Sequence, residues 1–116
     1  MKTILQKGDS QGIAMAVELL KNGEIVAIPT ETVYGIAGDA RRGDVVKKIF
    51  EAKGRPQDNP LIVHISDMDM LPRVVSSVPE DAKKLADAFW PGPLTIIMPK
   101  SPNISKENCA GLDSVG

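Results

Sequence analysis

Three short apolar runs, Ile25–Ile28, Leu61–Ile65 and Leu94–Met98, constrain this chain more than any other feature. Each is nearly continuous, and the first and third are ended by Pro29 and Pro99, as buried strands often are. Helical spacing fills the intervals between them. Ile13, Ala16, Val17 and Leu20 recur on one helix face, with Gly23 as its C-terminal cap. Asp44 can cap a second helix carrying Val45, Val46, Ile49 and Phe50, with Gly54 at its end. A third, preceded by Pro79, places Ala82, Leu85, Ala86 and Phe89 on one face. Strands alternating with helices predict an α/β fold around a largely buried sheet.

At 116 residues the chain suits one domain with a modest core. Aromatics make up only 3% of it, so that core must be built from aliphatics, Ala and Met. A net charge of −1 gives no global drive toward nucleic acid or membrane, which leaves such contacts to local patches. Cys109 is alone, which excludes an internal disulfide and suits a reducing compartment. No apolar run approaches the roughly 20 residues of a membrane span, and the N-terminus lacks a signal-peptide pattern. These features predict a cytoplasmic protein with no membrane partner.

Chemistry concentrates in three segments. Lys53-Gly54-Arg55-Pro56-Gln57-Asp58-Asn59-Pro60-Leu61 sets an ammonium and a guanidinium two residues apart, where a helix gives way to a strand. Gly54 lets the backbone turn, and Pro56 and Pro60 stiffen the rest of the loop. Such a loop can hold a polyphosphate, since Arg offers a donor fork and Lys a compact charge. A solvated turn with cations at a helix C-terminus fits the same residues equally well. Pro29-Thr30-Glu31-Thr32-Val33-Tyr34-Gly35 comes directly after the first strand, beyond whose carboxyl end ligands gather in open α/β sheets. Thr30 and Thr32 supply hydroxyls there; Glu31 reads first as a surface carboxylate. Trp90-Pro91-Gly92-Pro93 reads as a rigid turn that aims the third strand and plugs the core with an indole.

His64 is the only histidine, and alternation puts it on the face opposite Leu61, Val63 and Ile65. A lone strand histidine is more often a hydrogen-bonded core residue than a ligand contact. Proximity to Arg55 and Asn59 would reverse that preference. No Cys/His cluster has metal-ligand spacing, and no nucleophilic triad can be assembled from one histidine.

Taken in order, Pro-Thr-Glu-Thr-Val-Tyr-Gly at 29–35, Lys-Gly-Arg-Pro with Asn-Pro-Leu at 53–61, and Trp-Pro-Gly-Pro-Leu-Thr at 90–95 resemble the YrdC-like family of threonylcarbamoyl-AMP synthases. Ala-Gly-Leu-Asp-Ser-Val-Gly at 110–116 is similar to the lead-in to a further family motif. The resemblance implies a twisted α/β sheet with flanking helices and a concave ligand face. It implies synthesis of threonylcarbamoyl-AMP from L-threonine, bicarbonate or CO2 and ATP, with Mg²⁺ accompanying the ATP and pyrophosphate released. A partner enzyme would then pass the threonylcarbamoyl group to tRNA.

By matching position, the resemblance assigns Thr32 and His64 to threonine, and Arg55, Asn59 and Ser114 to ATP. Lys53 joins Arg55 on the phosphates, the two acting as the catalytic cations. Family members continue past the Ser114-Val115-Gly116 equivalent into Arg-x-Pro-x-His and Ser-x-Asn stretches that line the same site. The resemblance therefore implies that residues 1–116 are a YrdC-like domain incomplete at its C-terminus, inactive and poorly folded by themselves. Two other functions stay open: a YrdC-like module that binds double-stranded RNA or tRNA without making the adenylate, and a carbamoyltransferase relative.

Overall fold

Local chemistry sets where each helix of the computed structural model begins and ends, across the described residues 2–116. Helix α1, Ser10–Lys21, starts where the Asp9 carboxylate accepts the Gly12 amide at 2.9 Å, and stops at Asn22. Gly23 comes next with φ of 78°, a left-handed conformation that favours glycine. Helix α2, Gly43–Lys53, begins two residues earlier than a cap at Asp44 would place it. Arg42 occupies the cap position, with extended backbone and no side-chain cap bond, while Asp44 lies in the first turn. A carboxylate there still complements the helix dipole, and the Arg42 guanidinium donates to it at 3.0 Å. Gly54 closes α2 in the left-handed region, φ 62°, as its position in the sequence predicts. A 3₁₀ turn, Met68–Met70, leads into the short α3, Leu71–Val74, and α4 spans Glu80–Phe89 after Pro79.

The first apolar run forms β1, Val26–Ile28, which pairs antiparallel with β2, Gly35–Ala37, in the register Val26 to Ala37. The loop 29–34 is therefore the tip of a hairpin. β3, Met98–Pro99, pairs antiparallel with β4, Ser114–Val115. The other two predicted strands differ from expectation. Residues 61–65 and 94–97 join no ladder among the described residues. The Leu61 and Val63 amides donate at 2.9 Å to the carbonyls of Asn108 and Gly116, so these alternate residues are anchored, each to a separate stretch of chain. A ladder needs one continuous partner strand, and that is what these runs lack. Burial over 61–65 nonetheless alternates as predicted, with Leu61, Val63 and Ile65 half-buried and Ile62 and His64 exposed.

Two packed regions carry the fold. Leu71, Val74, Val75, Ala82, Met98, Ile104, Cys109 and Val115 form one cluster, with Val63, Ile65, Ile96 and Trp90 against it. In the other, α2 buries Val45, Val46, Ile49 and Phe50. It approaches the hairpin so closely at Gly38 that a Cβ there would sit 2.6 Å from Val45 Cγ1. Cover is one-sided elsewhere. Ile13 on α1 and Phe89 on α4 are each 60% exposed and Ile97 is 73% exposed, so the expected sheet buried on both faces does not form within these residues. The radius of gyration, 14.7 Å, exceeds the roughly 13 Å of a closed domain this size.

Beyond β2, Asp39 accepts from Arg41 Nε and Nη2 at 3.0 and 2.9 Å. The Arg41 hydrogen bond, outweighing partial burial, holds the Asp39 carboxyl below its ordinary value of 3.8. A depressed carboxyl contributes stability above its unfolded pKa and loses it as pH falls through the folded one. Replacing Asp39 by Asn should therefore destabilise at neutral pH, and the difference from wild type should shrink below about pH 4. Because Arg41 is 65% exposed, the gap should stay under about 1 kcal/mol. Denaturant titrations across pH measure it; a gap that widens in acid would contradict the pairing.

Candidate functional site

The hairpin tip is shaped by its own hydroxyl. Thr30 Oγ1 donates to the Val33 carbonyl and accepts the Thr32 amide at 3.4 Å, which folds the tip back on itself. Thr30 is thereby engaged in the turn, and Thr32 and Tyr34 are left exposed on it.

The cationic loop is similarly self-supporting. Lys53 is the last residue of α2 and is exposed, and Gly54 turns the chain. The Arg55 amide donates to the Phe50 carbonyl at 3.0 Å, and the Asn59 amide to the Pro56 carbonyl at 3.2 Å. Arg55 Nη2 spans the loop to the Pro60 carbonyl at 2.8 Å. Its Nε is buried without a hydrogen-bond partner among the described residues.

Between residues 62–68 and the turn at 90–96 opens a cleft of about 720 Å³, within the usual range for small-molecule sites. Its walls are largely apolar, with Ile62, Leu71, Trp90 and Ile96 among them. The polar lining includes His64, Ser66, Thr95, Glu31, Asp67 and Asp87. Of the site residues expected from sequence, His64 lines this cleft, while Thr32, Lys53, Arg55, Asn59 and Ser114 do not. Ser114 is half-buried on β4, next to Val115 and Gly116, which do line it. His64 is exposed on the cleft side, so the core role that a lone strand histidine suggests does not hold here. Glu31, expected as a surface carboxylate, is exposed and also belongs to the cleft wall.

The two halves therefore differ in chemistry. The cleft is apolar with an imidazole and carboxylates, which suits a small zwitterion or amine. The loop is cationic and carries a guanidinium, which suits phosphate. They meet at Pro60–Leu61. The 90–93 turn behaves as its sequence suggests: the Trp90 indole donates to the Leu94 carbonyl at 2.8 Å and packs on the core. A Cβ on Gly92 would lie 2.6 Å from the Phe89 carbonyl oxygen, so this turn requires glycine.

Sequence reasoning missed Asn108. It is buried, its carbonyl accepts the Leu61 amide at 2.9 Å, and its Nδ2 donates back to the Leu61 carbonyl at 3.2 Å. A polar residue in an irregular stretch gives no periodic signal. Among the described residues no group of three or more His, Cys, Asp or Glu could hold a metal ion, and no helix is long and apolar enough to cross a membrane.

Comparison with known proteins gives one consistent answer. The chain is 53% identical over 112 residues to the threonylcarbamoyl-AMP synthase of Bacillus subtilis, covering 96% of this chain and 32% of that protein. It is 48% identical over 103 residues to the synthase of Pyrococcus abyssi, covering 89% of this chain and 30% of that one. It thus spans about a third of the length of these relatives. The crystal structure of P. abyssi Sua5 complexed with L-threonine superposes with a TM-score of 0.88 at 45% identity, over 95% of this chain and 32% of that one. That agreement bears out the expected α/β fold. A family model described as telomere recombination, Sua5/YciO/YrdC, matches residues 18–116, and the chain belongs to that family.

Proposed function

We propose that the complete protein is an L-threonylcarbamoyladenylate synthase, joining L-threonine, bicarbonate or CO2 and ATP into threonylcarbamoyl-AMP with release of pyrophosphate. The observation that carries this reading is the likeness to the threonine-complexed P. abyssi Sua5 over 95% of the chain, a stretch that must take in most of the cleft and the cationic loop. The threonine nitrogen is first carboxylated to a carbamate. A carbamate oxygen then attacks the α-phosphorus, and the bond to the pyrophosphate oxygen breaks.

Positioning and charge stabilisation do most of the work in such phosphoryl chemistry. Lys53 and Arg55 supply positive charge to the phosphates, and Asn59 and Ser114 are further ATP contacts. Swinging the Arg55 guanidinium from the Pro60 carbonyl onto a phosphate would exchange a neutral acceptor for a charged one. His64, in the cleft wall, and Thr32, on the hairpin tip, contact threonine. Mg²⁺ accompanying the ATP would add to the positive charge that Lys53 and Arg55 supply at the phosphates. The product would serve a cytoplasmic partner enzyme that transfers the threonylcarbamoyl group to tRNA.

With the complete protein, pyrophosphate release should require threonine, bicarbonate and ATP together, read by a coupled pyrophosphate assay. Release indifferent to threonine would sink the proposal.

A further inference from the structure

The join between the two half-sites is held by a residue outside both of them. Leu61 comes after the proline whose carbonyl takes the Arg55 guanidinium, and lies three residues before His64. Asn108 grips Leu61 from both sides of its peptide units: the Leu61 amide donates to the Asn108 carbonyl at 2.9 Å, and Asn108 Nδ2 donates to the Leu61 carbonyl at 3.2 Å. One residue thus stands in for the partner strand that residues 61–65 lack. Asn108 is itself fixed. It is 3% exposed, its amide donates to Ser105 Oγ at 3.3 Å, and the Ser105 amide donates to the Ala40 carbonyl at 3.0 Å. The cleft segment is thereby tied, through Ser105, to the end of the β1–β2 hairpin unit.

The side-chain half of this clip acts on the Leu61 carbonyl, one peptide beyond the Pro60 carbonyl that takes Arg55, and the other loop bonds run from Arg55 to Phe50 and from Asn59 to Pro56, so the cationic loop depends on it less. The cleft segment does depend on it. Without Asn108 Nδ2 the Leu61 carbonyl loses its partner, and Val63 to Gly116 is the remaining backbone anchor beyond Leu61 among the described residues. We infer that Asn108 is a positioning residue that sets where His64 stands in the cleft, and so acts on the threonine half of the site and not on the ATP half. This rests on the assignment of His64 to threonine.

The test uses the complete protein with Asn108→Leu, which keeps the number and branching of the side-chain heavy atoms and removes the donor, and Asn108→Ser, a smaller side chain to be read if the first fails to unfold cooperatively. The His64 imidazole proton resonance is identified by its loss in His64→Gln. In a cooperatively folding variant, KM for threonine should rise on the order of ten-fold with KM for ATP within about two-fold, and the His64 resonance should shift or broaden. An unmoved His64 resonance, or equal rises in both KM values, would overturn the inference. Should the wild-type reaction prove independent of threonine, the proposed function falls, while the His64 resonance still decides whether Asn108 positions that side chain.

Discussion

Arg55→Ala is expected to weaken ATP binding by the complete protein by about 10- to 150-fold, the equivalent of losing about 1.5–3 kcal/mol of charge-assisted hydrogen bonding. The geometry around Arg55 motivates this figure. Its backbone is fixed by the bond to Phe50 and by the left-handed Gly54, so the guanidinium starts from a defined point beside Lys53. One guanidinium nitrogen is held only by a backbone carbonyl and another, buried, has no partner among the described residues. A charged phosphate would be a stronger acceptor for the first of these than the Pro60 carbonyl is. Arg55→Lys should recover only part of the loss, because an ammonium keeps the charge and lacks the planar fork. Calorimetric titration with ATP measures both variants, and unchanged affinity in Arg55→Ala would remove the loop from the phosphate site.

The largest effect on stability is expected from Phe50→Ala, about 3–5 kcal/mol, because truncating a buried aromatic forfeits its transfer free energy and leaves a cavity. Phe50 is 2% exposed, on the same face of α2 as the buried Val46 and Ile49. The close approach at Gly38 limits how far that helix can settle into the gap. Its carbonyl also accepts the Gly54 and Arg55 amides, so helix drift would move the cationic loop as well. The denaturant midpoint of the complete protein reads the loss. A change under about 1 kcal/mol would mean that α2 is not part of the structural core.

Helix α2 is the most legible element in the sequence. Its four apolar residues at helical spacing and its terminal glycine leave little choice, and even there Asp44 misplaces the start. A carboxylate works both as a cap and in the first turn, and only backbone geometry separates the two. The runs at 61–65 and 94–98 read as strands because their composition is right for strands. Pairing is a property of the neighbouring chain, which composition cannot supply, and the alternation of burial at 61–65 survives where the ladder does not. At the site, the cations at 53 and 55 and the turn at 90–93 stand out because rare residue types are clustered. His64 reads as core only because most lone strand histidines are, and its exposure depends on a cleft the sequence does not display. Asn108 is invisible, since its role depends on meeting a residue far away in the sequence.

The arrangement at Trp90 has an optical consequence. The indole is the only one in these 116 residues, it forms part of the cleft wall, and its N–H is already bonded to Leu94. Indole emission responds to the polarity around the ring. A ligand entering the cleft would displace water from the exposed edge of the ring while the Leu94 bond holds the ring in place, so the emission would shift toward the blue through a change in surroundings and not through reorientation. Occupancy of the cleft can thus be followed with no attached dye.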